Sequence, residues 1–307
     1  NNSLNLIVLA SEQCNFRCSY CYEKFTRYNI DPSVLDSLAI LIRRRLPSLD
    51  YLHVGWFGGE PLLNVDAIYK LSDSIKESNR NGAHISSTIS TNGFLLSPRV
   101  VSKLYDCYVR NYQISLDGSE KHHNETRRTR RGAGSFQRVL DAIKHIKDFE
   151  ADDINGRLRI HVTGENANDM DDLFAVLSVL IGTDSRFSVH IKAVENLGGN
   201  IRNNFSFLRH DDQLQKIKAS AESFGLRPVD ESKESICYAA MPNAFVIRTD
   251  GVVQKCTVAL DSDRNSIGKI TSDGLSIDGD KHFPWLKPLI EGDQLGMQCP
   301  ARGVLKF

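Results

Sequence analysis

Short apolar runs alternate along the first two thirds of the chain with longer stretches in which apolar residues recur every three to four positions. The runs are typical of buried β-strands, and the longer stretches are typical of amphipathic helices. The pattern predicts strands at 4–10, 51–57, 84–90, 110–115, 157–163 and 187–193. It predicts helices at 32–46, 64–79, 98–106, 135–148 and 169–182, two of which begin with an N-cap residue followed by proline, Asp31-Pro32 and Ser97-Pro98.

Six β/α repeats imply a parallel sheet with helical crossovers. A closed eight-stranded barrel needs two further units, which the sequence before residue 200 does not contain. We therefore predict an α/β fold in which residues 1–200 form a partial (β/α)6 barrel that is similar to a TIM barrel. A linking helix, from Asp211 to Phe224, is expected within 201–227. Residues 228–307 are predicted to be a small second domain with a hairpin at Ala244–Cys256 that turns at Asp250-Gly251.

Composition limits the classes of function. The chain has 307 residues, of which 41% are apolar and 25% charged, as in an ordinary globular protein. Its 38 basic and 38 acidic residues cancel, so bulk charge gives no reason to expect a nucleic acid or an anionic membrane as partner. No apolar stretch approaches the about 20 residues of a membrane span, and no signal peptide is visible.

Six of the seven cysteines fall in two groups near the two ends of the sequence. This grouping fits metal ligation in a reducing compartment better than a disulfide framework, so we expect a cytoplasmic protein. Cys107 stands alone in a helical context, and we expect it to be a small buried residue. The two groups are Cys14, Cys18 and Cys21, and Cys237, Cys256 and Cys299.

The first group has the spacing C-x3-C-x2-C and follows the first predicted strand directly. Three thiolates on one loop can hold three irons of a [4Fe–4S] cluster and leave the fourth iron without a protein ligand. A structural zinc site needs four ligands, and no neighbouring His or Cys supplies the fourth. The spacing therefore favours an iron–sulfur cluster at the carboxyl end of a barrel strand, where such folds place catalytic groups.

Four further motifs follow in order, each at the end of a predicted strand or before a predicted helix. They are Gly58-Gly-Glu-Pro61, Ser90-Thr-Asn-Gly93, Ser115-Leu-Asp-Gly118, and His123-Asn-Glu-Thr-Arg127 with Gly134-Ser-Phe136. With Tyr20 just before the third cysteine, this series resembles the peptide- and protein-modifying branch of the radical S-adenosylmethionine (SAM) superfamily, over most of the chain. The resemblance implies that a reduced cluster cleaves SAM into methionine and a 5′-deoxyadenosyl radical, which abstracts a hydrogen atom from the substrate.

The resemblance also implies roles for the first of these motifs. Gly58 and Gly59 have no side chains, so the backbone at the strand end can approach the methionine part of SAM. Their carbonyl groups, together with Glu60, are expected to accept hydrogen bonds from the methionine ammonium. Pro61 is expected to fix the turn.

Other cofactor-binding residues follow from the same resemblance. Ser115 and Arg127 are expected to hold the methionine carboxylate, a group that arginine binds in a bidentate manner. The expected set is completed by Ser90 and Asn92 at the ribose, the backbone of Tyr20 at the adenine, and Asp117.

Simpler interpretations stay open for some of these positions. The segment Thr91-Asn92-Gly93 is also typical of a turn, and Asp117-Gly118 is typical of a strand end. Arg128, Arg130 and Arg131 are interpreted as a solvated face or as a contact for an acidic peptide, rather than as cofactor ligands.

The second cysteine group has its own resemblance. Cys237 and Cys256 stand in a C-x13-G-x4-C arrangement that resembles the start of a SPASM or Twitch extension, which binds auxiliary [4Fe–4S] clusters. In the cysteine run that follows in a full SPASM domain, only Cys299-Pro300 matches, because Gly296 and Leu305 occupy ligand positions. Three interpretations stay open: one auxiliary cluster on Cys237, Cys256 and Cys299, clusters completed by cysteines beyond this sequence, or a remnant domain without metal.

We therefore predict a radical SAM oxidoreductase with a small C-terminal Twitch/SPASM-like iron–sulfur extension. Its expected substrate is a ribosomally synthesised precursor peptide, its expected product is an oxidative crosslink, and its expected electron donor is of the flavodoxin or ferredoxin type. No nucleic acid or membrane partner is expected. One alternative is a sulfatase maturase that forms formylglycine, although such enzymes normally need a fuller auxiliary cysteine set. A second is a small-molecule enzyme of the molybdenum-cofactor type, in which the last cysteines are spaced differently. A third is a non-catalytic iron–sulfur electron carrier or redox sensor.

Overall fold

The computed structural model describes residues 2–197, 205–208, 211–230 and 236–305. Its strands, in chain order, are β1 (Ser3–Ser11), β2 (Phe16–Cys18), β3 (Tyr51–Gly58), β4 (His84–Thr91), β5 (Val109–Leu116), β6 (Arg127–Thr129), β7 (Asn155–Val162), β8 (Phe187–Ala193), β9 (Ala244–Ile247), β10 (Val252–Gln254), β11 (Ser266–Thr271) and β12 (Gly274–Ile277). Its α-helices are α1 (Pro32–Arg45), α2 (Val65–Ser78), α3 (Pro98–Asp106), α4 (Glu120–Thr126), α5 (Phe136–Lys147), α6 (Met170–Ile181), α7 (Asp211–Ser223), α8 (Gly279–Glu291), α9 (Gln294–Gln298) and α10 (Ala301–Leu305).

The chain divides into two compact units. The first comprises Asn1–Gln13, Phe25–Thr88 and Glu231–Phe307, and the second comprises Cys14–Lys24 and Ile89–Asp230. Strand β4 therefore begins in the first unit and ends in the second. The cysteine loop that follows β1 belongs to the second unit, whereas the second cysteine group belongs to the first unit.

The first unit is organised around β1. This strand pairs in parallel with β3 on one side and with β9 on the other, and β10, β11 and β12 continue from β9 in antiparallel order. Leu6 and Val8 of β1 are fully buried, as expected of a strand with neighbours on both sides. Helices α1 and α2 bury Leu38 and Ile68 completely.

The hairpin predicted at Ala244–Cys256 is confirmed. Strands β9 and β10 pair with Val253 opposite Ile247, and Gly251 in the turn has φ +82°, a conformation that favours glycine. The hairpin is not isolated from the rest of the unit, because β9 lies beside β1.

In the second unit, β5, β7 and β8 pair in parallel, and Ile114, Leu158 and Val189 are fully buried on them. Helices α5 and α6 contribute Val139 and Phe174 to the same apolar interior. A separate two-stranded antiparallel ribbon is formed by β2 and β6. The ribbon holds part of the cysteine loop in a defined register.

The predicted α/β class and the mostly parallel sheet are confirmed. Each of the six predicted strands and five predicted barrel helices forms within two residues of its expected bounds, and α7 is the predicted linking helix. Cys107 is buried at the end of α3, as expected. The domain boundaries at 200 and 228 stay predictions, and the nearby residues 198–204 and 231–235 lie outside the described part. Among the helices that the structure describes, none is long and apolar enough to cross a membrane.

Candidate functional site

The first cysteine of the C-x3-C-x2-C loop is surrounded by hydrogen-bond donors. The Sγ atom of Cys14 accepts hydrogen bonds from the backbone amide of Phe16 at 3.3 Å and from Nδ2 of Asn92 at 3.7 Å. The same amide group of Asn92 donates to Oδ1 of Asn15 at 2.7 Å. Donors aimed at a sulfur stabilise a thiolate and tune an iron–sulfur cluster, so this environment fits a cluster ligand.

The second cysteine lies in the β2–β6 ribbon, and the third is linked to it by the amide of Cys21, which donates to the carbonyl oxygen of Cys18 at 3.3 Å. Cys18 lies opposite Arg127 in the ribbon, and the amide of Ser19 donates to the carbonyl oxygen of Thr126 at 2.9 Å. Burial raises the pKa of the Cys18 thiol and raises that of Cys21 to about 12. Both thiols therefore ionise only where a cation compensates the charge, which iron does outright.

Among the residues described, no three His, Cys, Asp or Glu side chains are gathered tightly enough to hold a single metal ion. A [4Fe–4S] cube distributes its thiolates over different irons, so its ligands do not need to converge on one point. The donor set of Cys14, Cys18 and Cys21 therefore fits such a cluster better than it fits a lone ion.

A buried polar network lies around the side chain of Tyr20. Its hydroxyl donates to the two carboxylate oxygens of Asp117 at 2.8 and 2.7 Å, and it accepts from Nη1 of Arg127 at 2.9 Å. Oγ1 of Thr126 donates to Asp117 at 2.7 Å, and Nδ1 of His161 lies 3.2 Å from the same carboxylate. The network thus joins the cysteine loop to the ends of β5 and β7.

Burial and charge set the protonation of this network. Burial favours the neutral form of Asp117, but the hydrogen bond from His161 and the charge of Arg127 hold the pKa of that carboxyl well below its usual range. Burial lowers the pKa of His161 to about 4 and raises the pKa of Tyr20 well above its usual value. At neutral pH the network therefore holds a carboxylate, a neutral imidazole, a phenol and a guanidinium.

Arg127 retains unused donor capacity inside this network. Its Nε atom is buried and finds no hydrogen-bond partner among the residues described, although Nη1 is bonded to Tyr20. A buried N–H without a partner is costly, and a carboxylate is the group that best satisfies a guanidinium. This unpaired donor fits the carboxylate of SAM that the sequence assigned to Arg127.

The predicted ribose residues make other contacts in the structure. Ser90 accepts a hydrogen bond from Nε2 of Gln113 at 3.2 Å. Oδ1 of Asn92 accepts from the amide of Phe94 at 3.0 Å, which is a local turn, while its Nδ2 contacts the cysteine loop. The turn interpretation of Asn92 is thus supported, and the other end of its amide holds the cysteine loop, whereas its assignment to the ribose stays a prediction. Ser115 lies in β5 with Asp117 just beyond the strand end.

The Gly-Gly-Glu-Pro motif belongs to the first unit. Gly58 ends β3 with φ +115°, and a Cβ atom there would lie 2.2 Å from the carbonyl oxygen of Ser11. The amide of Gly59 donates to that same oxygen at 3.1 Å. The first glycine is therefore required by the close approach of the end of β1, in addition to any role in binding SAM.

Glu60 is fully buried and has a structural role that the sequence did not predict. Its amide donates to the carbonyl oxygen of Gln13 at 2.9 Å, and its Oε1 accepts from the amide of Leu62 at 3.1 Å. The side chain therefore caps the short 3₁₀ helix Pro61–Asn64, which Pro61 starts. The backbone of the motif is thus fixed to the residue directly before Cys14.

The second cysteine group also lies within the first unit. The amide of Cys237 donates to the carbonyl oxygen of Met297 at 2.9 Å, and Sγ of Cys256 accepts from the amide of Val258 at 3.4 Å. Burial raises the pKa of the Cys256 thiol, and the charge of Cys299 raises it further. The thiols of Cys256 and Cys299 are therefore close enough to interact electrostatically.

A buried lysine accompanies this second group. Nζ of Lys255 donates to the carbonyl oxygens of Met241 at 2.6 Å and of Ala244 at 2.7 Å. Burial lowers the pKa of Lys255 to about 7, although the charge of Cys237 opposes this shift. A cation beside thiolates is favourable for holding a negatively charged cluster, as is the amide that donates to Cys256.

His161 and Thr126 were missed by sequence reasoning. A signal for His161 was present in β7, where the polar residues Arg157, Arg159 and His161 alternate with buried apolar ones. A polar face on a parallel strand with neighbours is unusual, because both faces of such strands are commonly apolar. Thr126 stood inside the His123–Arg127 motif, but the motif gave no sign of its contact with Asp117, since that contact depends on where α4 ends.

The comparisons with known proteins agree with this site. The family model of the radical SAM superfamily matches residues 8–177, more than half of the chain, and the chain therefore belongs to that superfamily. Radical SAM enzymes use a [4Fe–4S] cluster and SAM. The superfamily prediction, with its two central cofactors, is confirmed.

Curated relatives are distant. The chain is 28% identical over 146 residues to a serine-type anaerobic sulfatase-maturating enzyme of Bacteroides thetaiotaomicron, covering 44% of this chain and 34% of that protein. It is 28% identical over 176 residues to the mycofactocin maturase MftC of Mycolicibacterium smegmatis, covering 57% and 41%. It is 25% identical over 275 residues to a GTP 3′,8-cyclase of a Nostoc species, covering 80% and 78%. The matches thus span well under half of the first two relatives.

Solved structures extend the likeness in fold. Native anSMEcpe with bound AdoMet and the Cp18Cys peptide has a TM-score of 0.70 at 18% identity, covering 98% of this chain and 89% of that one. SuiB of Streptococcus suis bound to the precursor peptide SuiA has a TM-score of 0.60 at 17% identity, covering 88% and 64%. At these identities the likeness is one of fold alone.

Proposed function

We propose that this chain is a radical SAM oxidoreductase that modifies side chains of a ribosomally synthesised precursor peptide and forms an oxidative crosslink. The observation that carries the proposal is the buried network in which Tyr20 joins the cysteine loop to Arg127, whose Nε has no partner among the described residues. Cys14, Cys18 and Cys21 would hold a [4Fe–4S] cluster. When bound, the cluster and SAM supply the one-electron cleavage that yields methionine and a 5′-deoxyadenosyl radical.

The residues of the network bind and orient. Arg127 receives the methionine carboxylate, with Ser115 as a second donor, and the hydroxyl of Tyr20 fixes one arm of the guanidinium. Asp117 balances the buried guanidinium charge and holds Tyr20 in place through two short hydrogen bonds. His161 stays neutral and donates Nδ1–H to Asp117, because burial keeps its pKa at about 4.

The other cofactor residues are assigned by the family resemblance. The backbone carbonyls of Gly58 and Gly59 receive the ammonium of SAM, and Pro61 starts the turn behind them. Glu60 supports this backbone through its cap to the amide of Leu62. Ser90 and Asn92 are assigned to the ribose, and the backbone of Tyr20 to the adenine.

A precursor peptide is supported as substrate by two of the comparisons. MftC is a maturase by name, and SuiB is solved with its precursor peptide SuiA. A flavodoxin- or ferredoxin-type protein is proposed as the electron donor. Coexpression with a short peptide encoded beside the gene, followed by mass spectrometry, should show a loss of two hydrogen atoms.

The formation of formylglycine is a second candidate, favoured by the sulfatase-maturating relative and by the fold of anSMEcpe. Both reactions remove two hydrogen atoms from a serine peptide, so mass alone does not separate them. Only formylglycine carries an aldehyde that a hydrazide probe captures. A captured product therefore supports maturation of the sulfatase type. A product that the probe does not capture and that contains a covalently closed ring supports a crosslink.

We also propose one auxiliary [4Fe–4S] cluster on Cys237, Cys256 and Cys299. The support is the amide donor to Cys256, the buried amine of Lys255 and the electrostatic influence of Cys299 on the Cys256 thiol. Iron analysis and Mössbauer spectroscopy of anaerobically reconstituted protein should find about eight irons per chain, four for each cluster. About four irons would exclude the auxiliary cluster and leave the first one intact.

The enzyme class is tested by cleavage of SAM. Anaerobically reconstituted protein reduced with dithionite should form 5′-deoxyadenosine, and Cys14→Ala should abolish the product. Cys107→Ala is the matched control, because Cys107 is buried at the end of α3. A wild-type protein that carries its cluster and forms no 5′-deoxyadenosine would favour the non-catalytic electron carrier or redox sensor.

A further inference from the structure

The two faces of the β2–β6 ribbon carry different chemistry. In its register, Cys18 lies opposite Arg127 and Arg17 lies opposite Arg128. Because side chains alternate along a strand, the first pair occupies one face and the second pair occupies the other. A proposed cluster ligand and a proposed SAM ligand thus share one face, and two arginines meet on the reverse face.

Two further arginines, Arg130 and Arg131, follow β6 directly in the chain. We define the arginine patch as Arg17, Arg128, Arg130 and Arg131. Arg128, Arg130 and Arg131 are exposed, and none of the three forms an ion pair with any residue in the described part of the chain. The patch is a local concentration of charge, since the whole chain has a formal net charge of zero.

The patch is attached directly to the cysteine loop. Nη1 of Arg17 donates to the carbonyl oxygens of Cys14 at 2.7 Å and of Phe16 at 2.6 Å. The amide of Arg130 donates to the carbonyl oxygen of Asn15 at 2.6 Å. A partner that binds the patch would therefore lie beside the β2–β6 ribbon that contains Cys18.

The exposed guanidinium groups of Arg128, Arg130 and Arg131 concentrate positive charge beside the cysteine loop, and such a patch attracts an anionic partner. The proposed reaction requires a reductant that passes one electron to the cluster, and rapid transfer requires that the reductant approach closely. We propose that the arginine patch is the docking surface for an acidic one-electron carrier protein. In the step that follows docking, the carrier loses one electron and the cluster gains it, and no proton or bond is exchanged.

This inference rests on the proposed function, because it assumes a cluster that needs reduction. The chemistry of the patch would also accept an acidic segment of the peptide substrate. We favour the carrier because Arg17 and Arg128 of the patch lie on the reverse face of the ribbon from Arg127, which is assigned to SAM, whereas the peptide must reach the radical formed from SAM.

The test is the triple variant R128E/R130E/R131E of the full chain, with purified acidic flavodoxin as the probe. Binding is measured by biolayer interferometry at several salt concentrations. We expect binding at low ionic strength to weaken by at least about ten-fold and its salt dependence to decrease. The control R43E/R44E/R45E reverses three exposed arginines of α1, in the first unit, and is expected to bind flavodoxin like the wild type.

Two further measurements separate docking from folding and from catalysis. R128K/R130K/R131K keeps the charge and should retain flavodoxin binding within about two-fold, if long-range attraction dominates. Formation of 5′-deoxyadenosine driven by reduced flavodoxin should slow in the glutamate variant, whereas the reaction driven by dithionite should not, because a small reductant needs no docking.

Flavodoxin binding that is unchanged in the glutamate variant, or weakened equally in the α1 control, would overturn the proposal. Loss of precursor-peptide binding with flavodoxin binding preserved would also overturn it and would assign the patch to the substrate. Failure of the wild type to cleave SAM with dithionite would instead contradict the proposed function, while the binding comparison would still decide whether the patch recognises an acidic protein.

Discussion

Asp117→Asn tests whether one carboxylate holds the network at the cysteine loop. Asp117 accepts hydrogen bonds from Tyr20, Thr126 and His161, and it faces the guanidinium of Arg127 at 4.0 Å. The amide of asparagine keeps the shape of the side chain but has one acceptor oxygen and one donor group. At least one of the three donors would therefore meet another donor, in a place where the native side chain has 0% exposure to water.

The expected cost follows from burial. Breaking a buried ion pair by removing one partner destabilises a protein by about 3–5 kcal/mol, because the remaining charge is left uncompensated. Arg127 keeps its hydrogen bond to Tyr20 and lies at the edge of ion-pair distance from Asp117, so we expect the lower end of this range. Asp117→Asn should reduce the free energy of unfolding by about 3 kcal/mol.

Asp153→Asn is the matched control. Asp153 also accepts from a tyrosine hydroxyl and an arginine, namely Oη of Tyr105 at 2.9 Å and Nε of Arg110 at 2.8 Å, but its side chain is 61% exposed. Water replaces the lost contacts there, and exposed ion pairs contribute little to stability. Urea unfolding of both apo variants, followed anaerobically by far-UV circular dichroism at neutral pH, should show a clear loss for Asp117→Asn only.

Equal losses in the two variants would refute the reasoning, since burial is the only large difference between the two carboxylates. A second readout comes from SAM binding to the reconstituted protein. If the network orients Arg127, Asp117→Asn should weaken SAM binding, whereas Asp153→Asn should not.

Three further changes have defined outcomes. Gly58→Ala should lower the urea midpoint, because the new Cβ would lie 2.2 Å from the carbonyl oxygen of Ser11 at φ +115°; an unchanged midpoint would contradict this close approach. Glu12→Gln should cost about 3 kcal/mol, because the buried Arg248 loses its buried carboxylate partner and keeps, among the described carboxylates, only the exposed Asp261 at 3.6 Å. Glu12→Leu with Arg248→Met should recover much of that loss, and no recovery would show that more than the pair is involved. His161 has a folded pKa of about 4 against an ordinary 6.5, so below pH 6.5 the unfolded state binds the extra proton. The free energy of unfolding should therefore fall by roughly 3 kcal/mol as the pH drops from 6.5 to 4. Unfolding measured across this range should depend less on pH in His161→Gln, and an equal slope would contradict the assignment.

The hydrophobic period was sufficient to predict the long elements, because β1, β5 and α5 bury most of their apolar positions. It was not sufficient for β2 and β6, which have three residues each. Strands of that length have no measurable period and form only because distant parts of the chain meet. The four residues of β9 are all buried, which is typical of a strand enclosed by a sheet, but the sequence does not indicate which strand lies beside it.

The candidate site was likewise predictable only in part. Spacing predicted Cys14 as a cluster ligand, but it did not predict the amide of Asn92 beside its sulfur, because that contact depends on the end of β4. Tyr20 was selected for its backbone, and the structure shows that its side chain organises the network. Hydroxyl and imidazole contacts of this kind depend on side-chain direction, which motif spacing does not encode.

The position of β9 beside β1 affects how the gene can be rearranged. Strand β1 leads directly into the cysteine loop, and its other neighbour in the first unit is β3. Deleting the C-terminal segment would leave the buried residues Leu6 and Val8 on an unpaired strand edge, which is a template for aggregation. A chimera that replaces this segment with that of a relative would need a compatible partner for β1. Recombination between family members should therefore be tolerated only where both strands are inherited together.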